Sequence, residues 1–331
     1  MIIDIYTHIF PSRYFEEFSR HSKGLGNVAA RYRALPAVID LDARFRDMDK
    51  LDDYRQIIAL PHPGLEEVAT PAEGARLARL ANDAMAALCA DHPRRFPAFV
   101  ATVSLTDVDA AVAEANRAVT ELGARGIQIY TNIIGRPLDA PEYRPIFAAM
   151  AAHDLPIWLH PARSAAHADY AAEDKSRFEM WWCFGWPYET SVAMARLVFS
   201  GVFDRHPGLK IITHHLGGMI PFFDGRIGPG MAFLGSRTAG EDHSTVLSSL
   251  KKPHLDYFRM FYADTAMFGG TSGLPSGLEF FGADQIVFAT DAPFAPIGAT
   301  YDALQQLDLT ETDRRKIMSG NAQRLLKLSL M

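Results

Sequence analysis

Cysteine is nearly absent. Cys89 and Cys183 are the two in a chain of 331 residues. They can assemble neither a disulfide framework nor a cysteine zinc cluster, which fits a reducing compartment and makes the cytoplasm the expected location. No apolar run approaches the length of a membrane span. The opening MIIDIYTHIF has no basic segment ahead of its few apolar residues and reads as a buried strand, not a signal peptide. Concentrated charge is lacking too: 33 basic and 39 acidic side chains leave a formal net charge of -6, and neither sign gathers into a block. Nucleic acid and anionic membranes both demand a concentrated basic face, so a small molecule is the expected partner. Repeats and low-complexity tracts are missing as well.

What is present is a chain able to bury a large core, with 48% hydrophobic and 22% charged residues. Short β-rich apolar runs recur along it: IIDIY (2–6), RQIIAL (55–60), FPAFVAT (96–102), GIQIY (126–130), LPIWLH (155–160), LKIITHH (209–215), RMFYAD (259–264) and QIVFAT (285–290). Between them lie amphipathic stretches such as 73–92 and 108–124, with apolar residues returning every three or four positions. That alternation predicts parallel βαβ units, and eight of them predict an α/β protein of the (β/α)8 TIM-barrel class. The length is accommodated as one elaborated barrel domain over 1–331, with segments inserted after the first strand (10–50) and after the fifth (164–190). Loops that follow barrel strands open on the catalytic face, so both insertions are expected to enclose the site.

The polar residues that matter sit at the C-terminal ends of these runs, where barrel enzymes place catalytic groups. Tyr6 and His8 close the first, His160 the fifth, His214 and His215 the sixth and Asp264 the seventh, while Asp291 follows the eighth. Imidazoles from three strand ends and a carboxylate suit Zn²⁺ or another divalent transition metal. Side chains alternate across a strand, so one of His214 and His215 should enter the barrel and the other pack around it; spacing does not say which. Asp264 could orient a ligand or cap the adjacent turn. Trp181, Trp182, Phe184 and Trp186 in the second insertion could wall a pocket for a flat ring or form a contact between subunits.

Several segments together resemble the decarboxylase-rich branch of the amidohydrolase superfamily, which includes aminocarboxymuconate-semialdehyde decarboxylase and γ-resorcylate decarboxylase. They are IDIYTH (3–8), GIQIYTN (126–132), LPIWLHP (155–161), the long run GVFDRHPGLKIITHHLGGMIPF (201–222) and ATDAPF (289–294). The resemblance implies that His8, His160 and Asp291 hold a divalent metal, zinc ahead of manganese. It implies that His215 is the general acid/base, acting with Asp291, and that Arg226 reaches the substrate carboxylate of a neighbouring subunit, hence a homodimer or larger homo-oligomer. A surface salt bridge is the other reading of Arg226. Arg163, just after His160, and Arg31 and Arg33 are further candidates for binding that carboxylate, and Trp186 for binding the ring. Tyr6 stands where the family carries a histidine or glutamate ligand. A phenol loses its proton near pH ~10 in water. Tyr6 therefore ligates as a phenolate, donates a hydrogen bond to substrate or to water, or marks a site with weakened metal.

The activity the resemblance implies is metal-dependent, non-oxidative decarboxylation of an aromatic or unsaturated hydroxy-carboxylic acid of the salicylate or resorcylate kind. The alternative is a metal-dependent hydrolase or hydratase of lactonase type, which the ligand types alone fit as well. A metal-poor binding protein is a third reading, motivated by Tyr6.

Overall fold

In a computed structural model, which describes residues 1–21, 25–240 and 242–330, the eight expected runs form a closed parallel barrel. Its strands are β1 (Ile2–His8), β2 (Tyr54–Ala59), β3 (Ala98–Phe99), β4 (Ala101–Thr102), β5 (Ile127–Tyr130), β8 (Ile157–His160), β9 (Ile211–Thr213), β10 (Tyr262–Asp264) and β11 (Ile286–Val287). β6 (Asn132–Ile133) and β7 (Arg136–Pro137) form a small antiparallel hairpin beyond β5. That hairpin was not expected from the sequence, because two residues a side show no alternation to read.

β1, β2 and β3 pair in parallel, as do β4, β5, β8, β9, β10 and β11 in that order. β3 and β4 are one stave interrupted at Val100, whose N–H donates to the Ile58 carbonyl at 2.9 Å. The ring closes where the Ile5 N–H donates to Phe288 at 2.9 Å and the His8 N–H donates to Ala292 at 2.7 Å. Every residue of β1 is buried, as expected of a strand with side chains on one face and helices on the other. Ile3, Ile5, Ile57, Val100, Trp158, Ile212 and Val287 pack in one interior cluster. A larger cluster joins the outer strand faces to the helices.

The crossover helices start where the sequence provides caps. The Thr70 side chain accepts the Glu73 N–H ahead of the helix Pro71–Asp91, with Pro71 in the first turn, and Asp107 caps Val108–Thr120 in the same way. No helix among the described residues is long and apolar enough to cross a membrane. The first insertion carries the helices Ser12–His21 and Ala29–Arg33 and ends in the crossover helix Leu41–Met48; its residues 22–24 lie outside the described residues. The second ends earlier than expected, since the helix Gly185–Phe199 already begins inside the aromatic stretch.

The barrel seam is fastened by one buried carboxylate. Asp4 on β1 accepts from Thr290 twice, through its N–H at 3.1 Å and its hydroxyl at 2.5 Å. It also accepts from the Tyr54 hydroxyl on β2 at 2.5 Å and the Tyr6 N–H at 3.3 Å. Burial pushes the Asp4 carboxyl up from 3.8 to about 7, against the pull of the hydrogen bonds from Thr290 and Tyr54. A folded-state pKa above the unfolded one means the folded protein holds the extra proton. Stability from this group is therefore complete below pH 3.8 and is lost as pH rises towards 7. Asp4→Asn, which leaves at least one hydroxyl without its acceptor, should lower urea-unfolding stability by about 1–3 kcal/mol. The same variant should lose the wild type's decline in stability across that pH window; an unchanged slope would refute the assignment.

Candidate active site

The strand ends place their side chains around one point. His8 ends β1, His160 ends β8, His214 follows β9, and Asp291 lies four residues past β11. One ligating atom each from His8, His160 and His214 lie within 4.8 Å of one another, and so do atoms from His214, His215 and Asp291. The Asp291 Oδ1 lies 3.1 Å from His8 Nε2 and 3.6 Å from His214 Nε2. Asp291 adopts φ 66°, a left-handed backbone that a residue with a side chain rarely takes. Such strain persists where surrounding structure enforces it, and functional sites are its usual place.

Each imidazole is aimed by a bond on its far side. Nδ1 of His8 lies 3.2 Å from the Leu60 carbonyl, that of His160 2.7 Å from the Pro161 carbonyl, and that of His214 2.5 Å from Asp264 Oδ2. An Nδ1–H donating to an oxygen leaves Nε2 as a lone pair. Nε2 of His8 and of His214 are both buried and accept no hydrogen bond among the described residues. Two buried Nε2 atoms without an aligned hydrogen bond, beside a third imidazole and a carboxylate, fit a divalent cation, which would take the place of the proton that His214 otherwise carries.

With no cation present, the carboxylates and imidazoles compensate one another. Burial disfavours the Asp291 anion, yet His214 and His8 outweigh it and hold the carboxyl below the usual carboxylate range. Burial likewise works against a charged His214, but Asp264 lifts it to about 9. His160 is kept well below the ordinary imidazole range by burial and then by its histidine neighbours. His215 falls to about 4 through burial and the adjacent His214.

Alternation would have separated His214 from His215, and the structure corrects this. His215 leaves the extended conformation, with φ 51°, and Leu216 follows at 55°. The backbone therefore coils, and the two rings stack at 3.6 Å between centroids. Asp264 fixes the turn by accepting the His215 N–H at 3.0 Å and the Ala266 N–H at 3.1 Å, as well as binding His214. It orients His214 and caps the turn at once. His215 itself directs Nδ1 to the Ala266 carbonyl at 2.6 Å.

Tyr6 also departs from expectation. Its hydroxyl donates to Gln128 Oε1 at 2.6 Å, and the Gln128 amide donates onward to the Leu60 carbonyl and the Tyr130 hydroxyl, at 3.2 and 3.0 Å. Burial raises Tyr6 well above the ordinary phenol value. Among the described residues the Tyr6 hydroxyl is thus engaged by an amide and not by the histidines. Its ring instead packs 4.7 Å from His214 and 4.8 Å from His8.

A cavity of about 330 Å³ opens over the cluster, near the lower end of small-molecule sites. His160 and Asp291 reach it, and Trp181, Trp182, Trp186, Phe268 and Phe294 wall it. Trp186 was expected here and sits 5.3 Å from the His160 ring; Phe184 is 61% exposed and lies apart. Arg163 is corrected: its guanidinium pairs with Glu189 at 2.9 Å, while its carbonyl accepts the Trp186 Nε1–H at 3.2 Å. It holds the wall and faces a different pocket. Arg226 is exposed, its guanidinium 5.8 Å from the Phe223 ring centre, along a separate groove of about 660 Å³. Arg31 does line the cavity, with Nη2 bound to the Phe294 carbonyl at 2.6 Å; Arg33 is exposed. His62 and Tyr32, which sequence reasoning passed over, line it too. His62 stands three residues beyond β2, so the strand-end rule applied to His8 and His160 could have found it.

Known proteins carry the same organisation. A γ-resorcylate decarboxylase of a Polaromonas species is 34% identical over 297 residues, 87% of each chain. A 6-methylsalicylic acid decarboxylase of Penicillium expansum is 28% identical, covering 97% of this chain and 94% of its own. The crystal structure of a Polaromonas dihydroxybenzoic acid decarboxylase with bound manganese and the inhibitor 2-nitroresorcinol superposes with a TM-score of 0.80 at 28% identity, over 100% of this chain and 98% of that one. The Amidohydrolase family model matches residues 3–328, and with that span the chain belongs to the amidohydrolase family, in its decarboxylase branch.

Proposed function

We infer that this chain is a divalent-metal-dependent carboxy-lyase that removes carbon dioxide, without oxidation, from an aromatic hydroxy-carboxylic acid. The observation that supports the reading is the convergence of three imidazoles and a carboxylate beside a cavity walled by three tryptophans, in a chain similar to decarboxylases of hydroxybenzoic acids. In this reading one catalytic domain spans 1–331 and works in the cytoplasm, as the scarcity of cysteine suggests.

His8, His160 and Asp291 would hold the metal together with His214, which takes the place left by Tyr6. Three imidazoles and one carboxylate suit zinc ahead of manganese, which favours oxygen donors. When bound, the ion supplies positive charge that anchors the carboxylate and the neighbouring ring oxygen. Trp181, Trp182 and Trp186 hold the ring and exclude water. The ring carbon bearing the carboxylate takes a proton from Asp291, the bond to the carboxylate breaks, its electron pair returns to the ring, and carbon dioxide leaves. Asp291 reaches the cavity wall and would serve there as the general acid. His215, grouped with Asp291 and His214, returns the proton. Arg226 is exposed and off the cavity of its own chain; in this reading it would reach the substrate carboxylate of a neighbouring copy in a homodimer or larger homo-oligomer.

Zinc-loaded protein incubated with a panel of hydroxybenzoates should release carbon dioxide from at least one, and a chelator should abolish the release. Asp291→Asn should slow it by roughly 10²–10⁴-fold. No release from any member, or a product that keeps every carbon, would sink the decarboxylase reading and favour the hydrolytic one. Metal content after dialysis separates the ligand assignments. Tyr6→Phe should keep the wild-type stoichiometry, whereas His214→Gln should lose most of its metal; the reverse pattern would restore Tyr6 as a ligand.

A further inference from the structure

His62 lies outside the donor cluster and is nevertheless built into the cavity wall. Its side chain is 8% exposed. Its ring runs parallel to His160 at 6.1 Å and meets Trp186 at a steep angle at 5.5 Å. The backbone beneath is tied down, because the Tyr32 hydroxyl donates to the His62 carbonyl. Nδ1 lies 3.4 Å from Oε1 of Glu67 and has no aligned hydrogen bond of its own. Glu67 sits on the side away from the cavity, in a separate pocket of about 210 Å³.

A carboxylate beside one imidazole nitrogen keeps the proton on that nitrogen and leaves the other as an acceptor. Nδ1 faces Glu67, so the acceptor that His62 offers to the cavity is Nε2. An acceptor fixed in an aromatic wall is satisfied by a hydroxyl and left bare by a methyl group, and a bare buried acceptor is penalised. Sites built to bind a hydroxyl reject the analogue lacking it far better than apolar pockets reject one that gains it.

Resting on the decarboxylase reading, we propose that His62 is the specificity-determining residue of this cavity, and that it selects a carboxylated ring bearing a second hydroxyl. One ring oxygen lies beside the carboxylate at the donor cluster, and the second hydroxyl donates to His62 Nε2. Glu67 is the positioning residue that fixes the imidazole's proton. The chain thus takes a substrate like 2,6-dihydroxybenzoate in preference to one like 2-hydroxy-6-methylbenzoate.

The test is a titration of the zinc-loaded full-length protein with each of these two acids, followed by the fluorescence of the cavity tryptophans, which reads binding whether or not turnover occurs. The wild type should bind the dihydroxy acid on the order of 10–100-fold more tightly, the value of one hydrogen bond to a buried acceptor. His62→Leu, checked for an unchanged melting temperature, should bring the two affinities within about threefold by weakening the dihydroxy acid alone. His62→Gln, which restores an acceptor oxygen, should recover part of the preference, and Glu67→Gln should reduce it without altering the affinity for the methyl acid. Equal wild-type affinities, or a preference that survives His62→Leu, overturn the assignment while leaving the decarboxylase reading intact. Failure of the wild type to bind either acid overturns both.

Discussion

The hydrogen bonds to the Asp4 carboxylate decide where the first and last strands of this barrel meet. β11 is only two residues long, too short for its own ladder to fix the seam. Asp4 supplies the missing constraint by binding both the N–H and the hydroxyl of Thr290, the residue directly before Asp291. The position of Asp291 relative to β1 is thereby set, and with it the 3.1 Å approach of its carboxylate to His8. A buried carboxyl that accepts this many bonds leaves little room for slippage, since any shift strands several donors at once.

From that seam outward, the site is a set of donors whose freedom has been removed from behind. Leu60, Pro161 and Asp264 hold the far sides of the three rings. The strained backbone at Asp291 and His215 is tolerated because the Asp264 and Asp4 networks determine the neighbouring turns. Order is therefore imposed by the protein before any cation arrives, and the reorganisation needed on binding is small.

Much of this could be read from the chain. The eight strands follow from apolar runs separated by helical periodicity, and His8, His160 and Asp291 from their places at strand ends. What could not be read depended on backbone torsion or on partners distant in sequence. His214 and His215 stack because the chain leaves the strand at His215, whereas the alternation rule assumes that it continues. The Tyr6 hydroxyl is taken up by Gln128, 122 positions away. Arg163 looked available beside His160 until Glu189 was found to hold it. His62 escapes a strict reading of strand ends for a different reason: two residues separate it from the end of β2.

The Tyr6 and Gln128 pairing also bears on how such a site can change over generations. The Leu60 carbonyl receives both the His8 imidazole and the Gln128 amide, so a residue at position 6 is linked through position 128 to His8. A carboxylate at position 6 would have no proton for the Gln128 carbonyl unless that amide turned over, and replacing Gln128 by an apolar residue would strand the tyrosine hydroxyl. Each single step is penalised, while the double step is open. The two positions should therefore be inherited as a unit, and a lineage that acquired tyrosine here would find the way back to the ordinary ligand closed to one substitution at a time.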